Sequence, residues 1–280
     1  MDINIYFFKA TAVFYFFSVA IFFFYLITQK DEVTKIAVGM YFVGFIVHTL
    51  GMIVRYTEAG YAPMVNLHEG LSFLSWCISI VFFSFNLRFK IRVFGVFAAP
   101  LSLAFILISF AFSSTILSLA PVLQSYWRPI HIFCAIVGDA MFGIAALAGI
   151  MYLLQERQLK TKKMTKLYHI LPSLEVSDSI NYKCLTFGFP MLTLGMVTGA
   201  IWANSAWGTY WSWDPKETWS LITWFIYAAM LHGRLTVGWR GRKVAILSIV
   251  GFLVILFTFL GVNLLIGGSH AEDSHITGSM

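Results

Sequence analysis

Apolar residues run through this chain in eight long blocks separated by short polar and charged segments. A helix rises about 1.5 Å per residue through a hydrocarbon core about 30 Å thick, so about 20 apolar residues make one crossing. The blocks run roughly Tyr6–Ile27, Lys35–Val54, Leu67–Leu87, Val93–Phe112, Pro129–Leu154, Lys183–Trp202, Thr218–Leu235 and Val244–Leu265. None shows the two-residue alternation of barrel strands, so helices are the form that satisfies every backbone group in lipid. The pattern predicts an all-α polytopic membrane bundle of about eight transmembrane helices. The first run, Ile5 to Thr28, is too long for a cleavable leader and lacks a basic start, so it is expected to be the first span. No internal repeat or low-complexity stretch divides residues 1–280, and one integral membrane domain is expected.

Charge then orients the bundle. Alternate connections carry Lys30 and Lys35, then Arg88, Lys90 and Arg92, then Arg157, Lys160, Lys162, Lys163, Lys166 and Lys183, then Arg234, Arg240, Arg242 and Lys243. The other side holds Arg55, Arg128 and Lys216, with Lys9 inside the first block. The positive-inside rule places the basic side inward and both termini outward. The longest inward segment, TKKMTKLYHILPSLEVSDS, is expected as a basic loop against anionic lipid, with His169 a solvated loop residue.

Composition agrees: 59% of the 280 residues are hydrophobic, 11% are charged, and mean hydropathy is +0.79. That is beyond what one soluble core buries. The net charge of +6 lies in the connections rather than on one polar face, which excludes a nucleic-acid partner. Cys77, Cys134 and Cys184 sit within or at the edges of apolar runs without a two-residue spacing, so they read as small buried hydrophobes with no redox or haem-attachment chemistry. The polar tail after Asp273 carries no signal.

One connection stands apart. From Trp202 to Trp224 the chain reads WANSAWGTYWSWDPKETWSLITW, which holds six of the nine tryptophans. An aromatic belt at the headgroups accounts for Trp202, Trp219 and Trp224. It does not account for Trp207, Tyr210, Trp211 and Trp213 gathered with Gly208 in one outward loop between the sixth and seventh blocks. Asp214 and Pro215 predict an N-cap followed by the first helical residue. The loop thereby offers rigid, flat apolar surface suited to a large planar ligand.

The segment WGTYWSWDPKE resembles the tryptophan-rich signature, the WWD domain, of haem-handling proteins in cytochrome c biogenesis. The chain as a whole resembles the CcsA (ResC) family of the system II pathway, through NLHEGLSFLSW in the third block, WRPIH before the fifth and NLLIGGSH after the eighth. The family usually has Tyr where this chain has His68, so His68 is either a silent change or an added outward imidazole.

The resemblance implies binding of haem b, with His131 and His270 as the external histidines that flank the WWD segment and ligate its iron. Trp207, Tyr210, Trp211, Trp213 and Asp214 would form the platform. Arg55 and Arg128, the only outward arginines, are either partners for the propionates or interfacial anchors. His232 lies about 18 residues beyond Asp214, so about 27 Å deeper, and cannot share the outer haem. As an ionisable group within a span it is a functional candidate. The resemblance implies a second, membrane-embedded haem there, its other ligand supplied by the partner CcsB. His48 is either a ligand for haem in transit or a buried, hydrogen-bonded histidine.

The reaction implied is addition of two CxxCH thiols of an apocytochrome c across the haem vinyl groups. Positioning rather than acid–base machinery would supply the catalysis. The expected partners are CcsB, the apocytochrome and a thioredoxin-like thiol reductant. The expected location is the bacterial inner membrane, or a thylakoid membrane. The competing readings are a haem exporter without lyase activity and a dihaem electron-transfer subunit, although no single block holds the histidine pair about 13 or 14 residues apart that such subunits carry.

Overall fold

The structure, a computed structural model, describes residues 3–89, 91–116, 124–162 and 165–266. It is all-α among these residues, with nine α-helices. They are α1 (Ile3–Thr28), α2 (Asp31–Ala59), α3 (Leu67–Phe89), α4 (Gly95–Ser109), α5 (Trp127–Thr161), α6 (Lys166–Ile170), α7 (Leu174–Trp207), α8 (Pro215–His232) and α9 (Arg242–Leu256). A 3-10 turn, Arg92–Phe94, leads into α4, and π-helical turns extend α8 over Gly233–Val237 and α9 over Phe257–Ile266.

Seven helices are long and apolar enough to cross a membrane among the described residues: α1, α2, α3, α5 and α7, α4 with its 3-10 turn (Arg92–Ser109), and α9 with its first π turns (Arg242–Val262). The remaining predicted block, Thr218–Leu235, forms α8, whose 18 residues open on Lys216 and Glu217, and it is not one of the seven. The expected basic loop is largely helical instead. Residues 166–170 form α6, and α7 starts at Leu174, nine residues before the apolar block begins at Lys183. Ser173 starts that extension by accepting a hydrogen bond from the Val176 N–H at 3.3 Å, a local capping signal that hydropathy does not register.

The chain divides into two compact units, residues 1–116 with 151–177 and residues 117–150 with 178–280. In the first unit α1 packs along α2 and α4, and α3 packs on α4. Its interior is laced with hydroxyls. Tyr41 bonds Ser79 and Ser102 at 2.9 and 2.6 Å, and Ser79 bonds Tyr15 at 3.0 Å. Tyr15 in turn reaches Nδ1 of His48 at 3.3 Å, while His48 Nε2 meets Ser72 at 2.8 Å. A satisfied polar network of this kind fixes one packing of helices that lipid would otherwise let slide.

In the second unit small residues set the spacing. A Cβ added to Gly149 of α5 would fall 2.7 Å from the carbonyl oxygen of Ala245 in α9. One added to Gly195 of α7 would lie 3.0 Å from the Ala135 nitrogen of α5. These glycines let backbones touch, which is how membrane helices gain packing energy without a hydrophobic drive.

Candidate functional site

His131 sits on the second turn of α5, facing α7. Its Nδ1–H donates to the Gly195 carbonyl at 2.6 Å. That bond settles the tautomer: Nε2 keeps its lone pair, the state an imidazole needs to bind a metal. The ring is held flat as well. It stacks on Trp202 at 6.3 Å and 23°, and a Cβ on Gly199 would stand 2.6 Å from its Nδ1. Gly199→Ala is therefore expected to push the ring off its acceptor at about 1–3 kcal/mol of strain. With His131 the haem ligand that the sequence resemblance implies, haem binding read from the absorption spectrum should weaken in the alanine variant, whereas a protein already carrying His131→Ala should show no further loss.

Trp202 joins the histidine to the loop. It is 5% exposed and meets Trp207 edge to face at 5.0 Å and 61°, with the Arg128 guanidinium 5.9 Å above its ring. The belt position expected for Trp202 is thus corrected: its indole is packed against His131 instead of facing lipid. Arg128 and Lys216 both lie near enough to His131 to act on it electrostatically.

The loop itself is stapled from α8. Gly208 ends α7 at φ 76°, its N–H bonded to the Asn204 carbonyl at 3.0 Å. Asp214 is the N-cap, accepting from the Glu217 N–H at 2.7 Å, with Pro215 directly after it, as the sequence predicts. Glu217 reaches back to accept from the Ser212 N–H at 2.7 Å. This double clasp supports Trp213 in the left-handed region, φ 60°, where an indole is otherwise rare. Trp211 and Trp213 meet edge to face at 5.8 Å. Trp213 and Tyr210 are 68% and 60% exposed, and Trp207 is 37% exposed, so three aromatic faces stand open. The Trp211 indole N–H is buried without a hydrogen-bond partner.

The other predicted residues fall elsewhere. His270 lies outside the described residues. His232 closes α8 at the end opposite Asp214 and is exposed, so the two ends of this helix hold separate candidates. His48 and His68 belong to the first unit. Both His48 nitrogens are occupied by hydroxyls, which leaves none for iron in this arrangement. His68 is 2% exposed between Phe8 and Phe110, and its Nδ1–H donates to the Ser109 carbonyl at 2.9 Å. It is a core side chain, not an outward imidazole.

Arg55 is a second correction. It is wholly buried, bonded to Glu69 at 2.7 and 2.8 Å and to the Ser114 and Thr115 carbonyls at 2.7 and 3.4 Å. A guanidinium committed in this way has no fork left for a propionate. The residues that sequence reasoning missed are Lys216, which registers only as a topology charge, and the Gly195 and Gly199 pair. Small residues four apart facing a histidine helix are the signal that points to the latter.

A family model described as cytochrome C assembly protein matches residues 64–270. The protein named cytochrome c biogenesis protein CcsA in Guillardia theta is 38% identical over 240 residues, covering 78% of each chain. The chain belongs to the CcsA family of cytochrome c assembly proteins. The CcsA of Synechococcus sp. (strain CC9902) is 37% identical, across 80% of this chain and 82% of its own. That of Chlamydomonas reinhardtii is 42% identical over 229 residues, 79% of this chain. This chain covers 63% of the Chlamydomonas protein's length. Among solved structures, cytochrome c heme lyase CcmF superposes with a TM-score of 0.67 over 92% of this chain and 46% of its own, at 14% identity, a likeness of fold. Membership puts the chain in cytochrome c biogenesis, with haem as the group that its family handles.

Proposed function

We propose that this CcsA family member carries haem b across the membrane and holds it for covalent attachment to the CxxCH thiols of apocytochrome c. The observation that carries the reading is His131, with Nδ1 pinned to Gly195, its ring on Trp202, and Trp207, Arg128 and Lys216 around it. Each part has a use. His131 Nε2 binds iron from one face, His270 from the other, and the open indoles of Trp207 and Trp213 with Tyr210 and Trp211 bear on the ring. Arg128 and Lys216 neutralise the propionates, and Asp214 holds the loop rather than touching haem. Addition of each thiol S–H across a vinyl C=C needs no oxidant and no protein base, so orientation is the contribution of this chain.

His232 marks a second haem site at the far end of α8, completed by a ligand from the partner CcsB. Eight crossings with both termini outward, α8 among them, put the 202–224 segment and His131 on one outer surface and the basic connections inward, as the charge pattern supports. The domain is taken as continuous over 1–280. The membrane is the bacterial inner membrane or a thylakoid membrane, and a thioredoxin-like protein keeps the apocytochrome thiols reduced.

The test is expression with a CcsB partner and a c-type cytochrome reporter, in a haem-making host without its own maturation system. Haem is expected to co-purify with the complex and the reporter to become covalently haemylated. Both proteins reaching the membrane with no bound haem and an unmodified reporter would overturn the reading. Bound haem with an unmodified reporter would instead favour an exporter.

A further inference from the structure

Asp139 is the carboxyl farthest from any helix end among the described residues, 12 positions into α5 and so roughly 18 Å along it. It lies in a span, and no salt bridge or hydrogen bond reaches it from any described residue. A carboxylate without donors in hydrocarbon is costly, and an acid kept at that depth is a functional candidate by default. The function derived above does not use it.

A buried group points at the same place. Tyr227 of α8 is fully buried, its hydroxyl has no partner, and Asp139 is its electrostatic neighbour. Its ring lies flat on Phe142, one turn past Asp139, at 3.5 Å and 9°. The hydroxyl rests against α9, where a Cβ on Gly251 would stand 2.9 Å from the oxygen. One turn earlier on α9, Ser248 accepts from the Asn181 amide of α7 at 2.8 Å, and that amide also donates to the Ala145 carbonyl at 2.9 Å. The Asn181 carbonyl oxygen is buried and unpartnered. Asn181 stands one turn from Asp178, which pairs with Arg234 at 2.5 Å beside the last turns of α8.

Polar groups therefore run in order from the Arg234 end of the second unit to mid-span, Asn181, Ser248, Tyr227 and Asp139, with the Asn181 carbonyl oxygen and the Tyr227 hydroxyl unpartnered among them. The helices around Asp139 bring no charge to it. Residues 187–192 of α7, 223–230 of α8 and 244–256 of α9 carry Tyr227 as their one titratable group.

We propose that Asp139 is a proton-binding site within the membrane, reached from the Arg234 end through Asn181, Ser248 and Tyr227, whose occupancy changes as haem passes between His232 and His131. Asp139 and Tyr227 fall between these histidines along their helices, eight residues beyond His131 on α5 and five before His232 on α8. Binding takes one proton from water at the Arg234 end onto a carboxylate oxygen, release returns it to water, and no electron moves. The coupling to haem rests on the haem-carrying reading; the proton site does not.

The experiment has two arms on the full chain with its partner in lipid nanodiscs. Infrared spectroscopy at neutral pH is expected to show the carbonyl stretch of a protonated acid, lost in Asp139→Asn, retained in Asp139→Glu and shifted in frequency in Tyr227→Phe. The pH profile of haem arrival at the outer site, followed by absorption, is expected to become flat in Asp139→Asn. A band that survives Asp139→Asn overturns the proton site, and Asp139→Glu with Tyr227→Phe give the same decision if the asparagine variant does not fold. A normal haem complement whose arrival keeps its wild-type pH profile in Asp139→Asn overturns the coupling and leaves the haem reading intact. An Asp139-dependent band in a protein that binds no haem in any form sinks the haem reading and leaves the proton site standing.

Discussion

Replacing His131 with alanine is expected to lower haem at the outer site by more than about 100-fold and to abolish c-type cytochrome formation. The scale follows from metal sites in general, where loss of a group that merely orients a ligand costs about 10–100-fold. On the proposed reading the ligand itself is removed here, together with its anchor on Gly195. The cavity left beside Trp202 is imidazole-sized, so added imidazole should restore haem binding measured by its absorption spectrum. Ligation at wild-type yield in the alanine variant would remove His131 from the mechanism. His270→Ala should reproduce the loss, since iron held from a single face leaves the ring free to tilt.

The second large effect concerns stability. Arg55 and Glu69 are both fully buried as an ion pair, with the remaining Arg55 donors on Ser114 and Thr115 and the second Glu69 oxygen accepting from the Val65 N–H at 2.7 Å. Cutting either side chain to alanine strands a charge in a dry site, at about 3–5 kcal/mol. Arg55→Ala and Glu69→Ala should each lower the thermal unfolding midpoint of the purified protein sharply. The double change Arg55→Met with Glu69→Leu should regain part of it, because two apolar side chains need no pairing, while the Ser114 and Thr115 carbonyls and the Val65 N–H lose these partners. A single variant losing less than about 1 kcal/mol would mean that water reaches the pair, against its observed burial.

What the sequence announced and what it hid divide along physical lines. Long apolar blocks are read from hydropathy because lipid demands them, and α1, α2, α3 and α5 follow the predicted runs closely. The Asp214 cap was legible because capping is local, decided within four residues. Trp202 was misplaced because belt and core positions of tryptophan look alike until the facing helix is known. Arg55 was misjudged for the same reason: its partner lies 14 residues away on another helix, across a turn that charge counting does not see. The start of α7 was missed because Leu174–Tyr182 is too polar to register as a span yet is helical once capped. Gly195 and Gly199 acquire meaning only when His131 is set against them.

The glycine faces of α7 have a bearing on how the outer site opens. With Gly199 touching the His131 ring and a Cβ on Gly195 lying only 3.0 Å from the α5 backbone, these two helices have no slack in which to part and close again. On the proposed reading, an incoming porphyrin would then be admitted by movement of a part that is not clamped there, the 208–214 connection. The helix seam would act as a fixed jaw while the connection does the closing, so the rate of loading should follow the stiffness of the loop and not the strength of the helix seam.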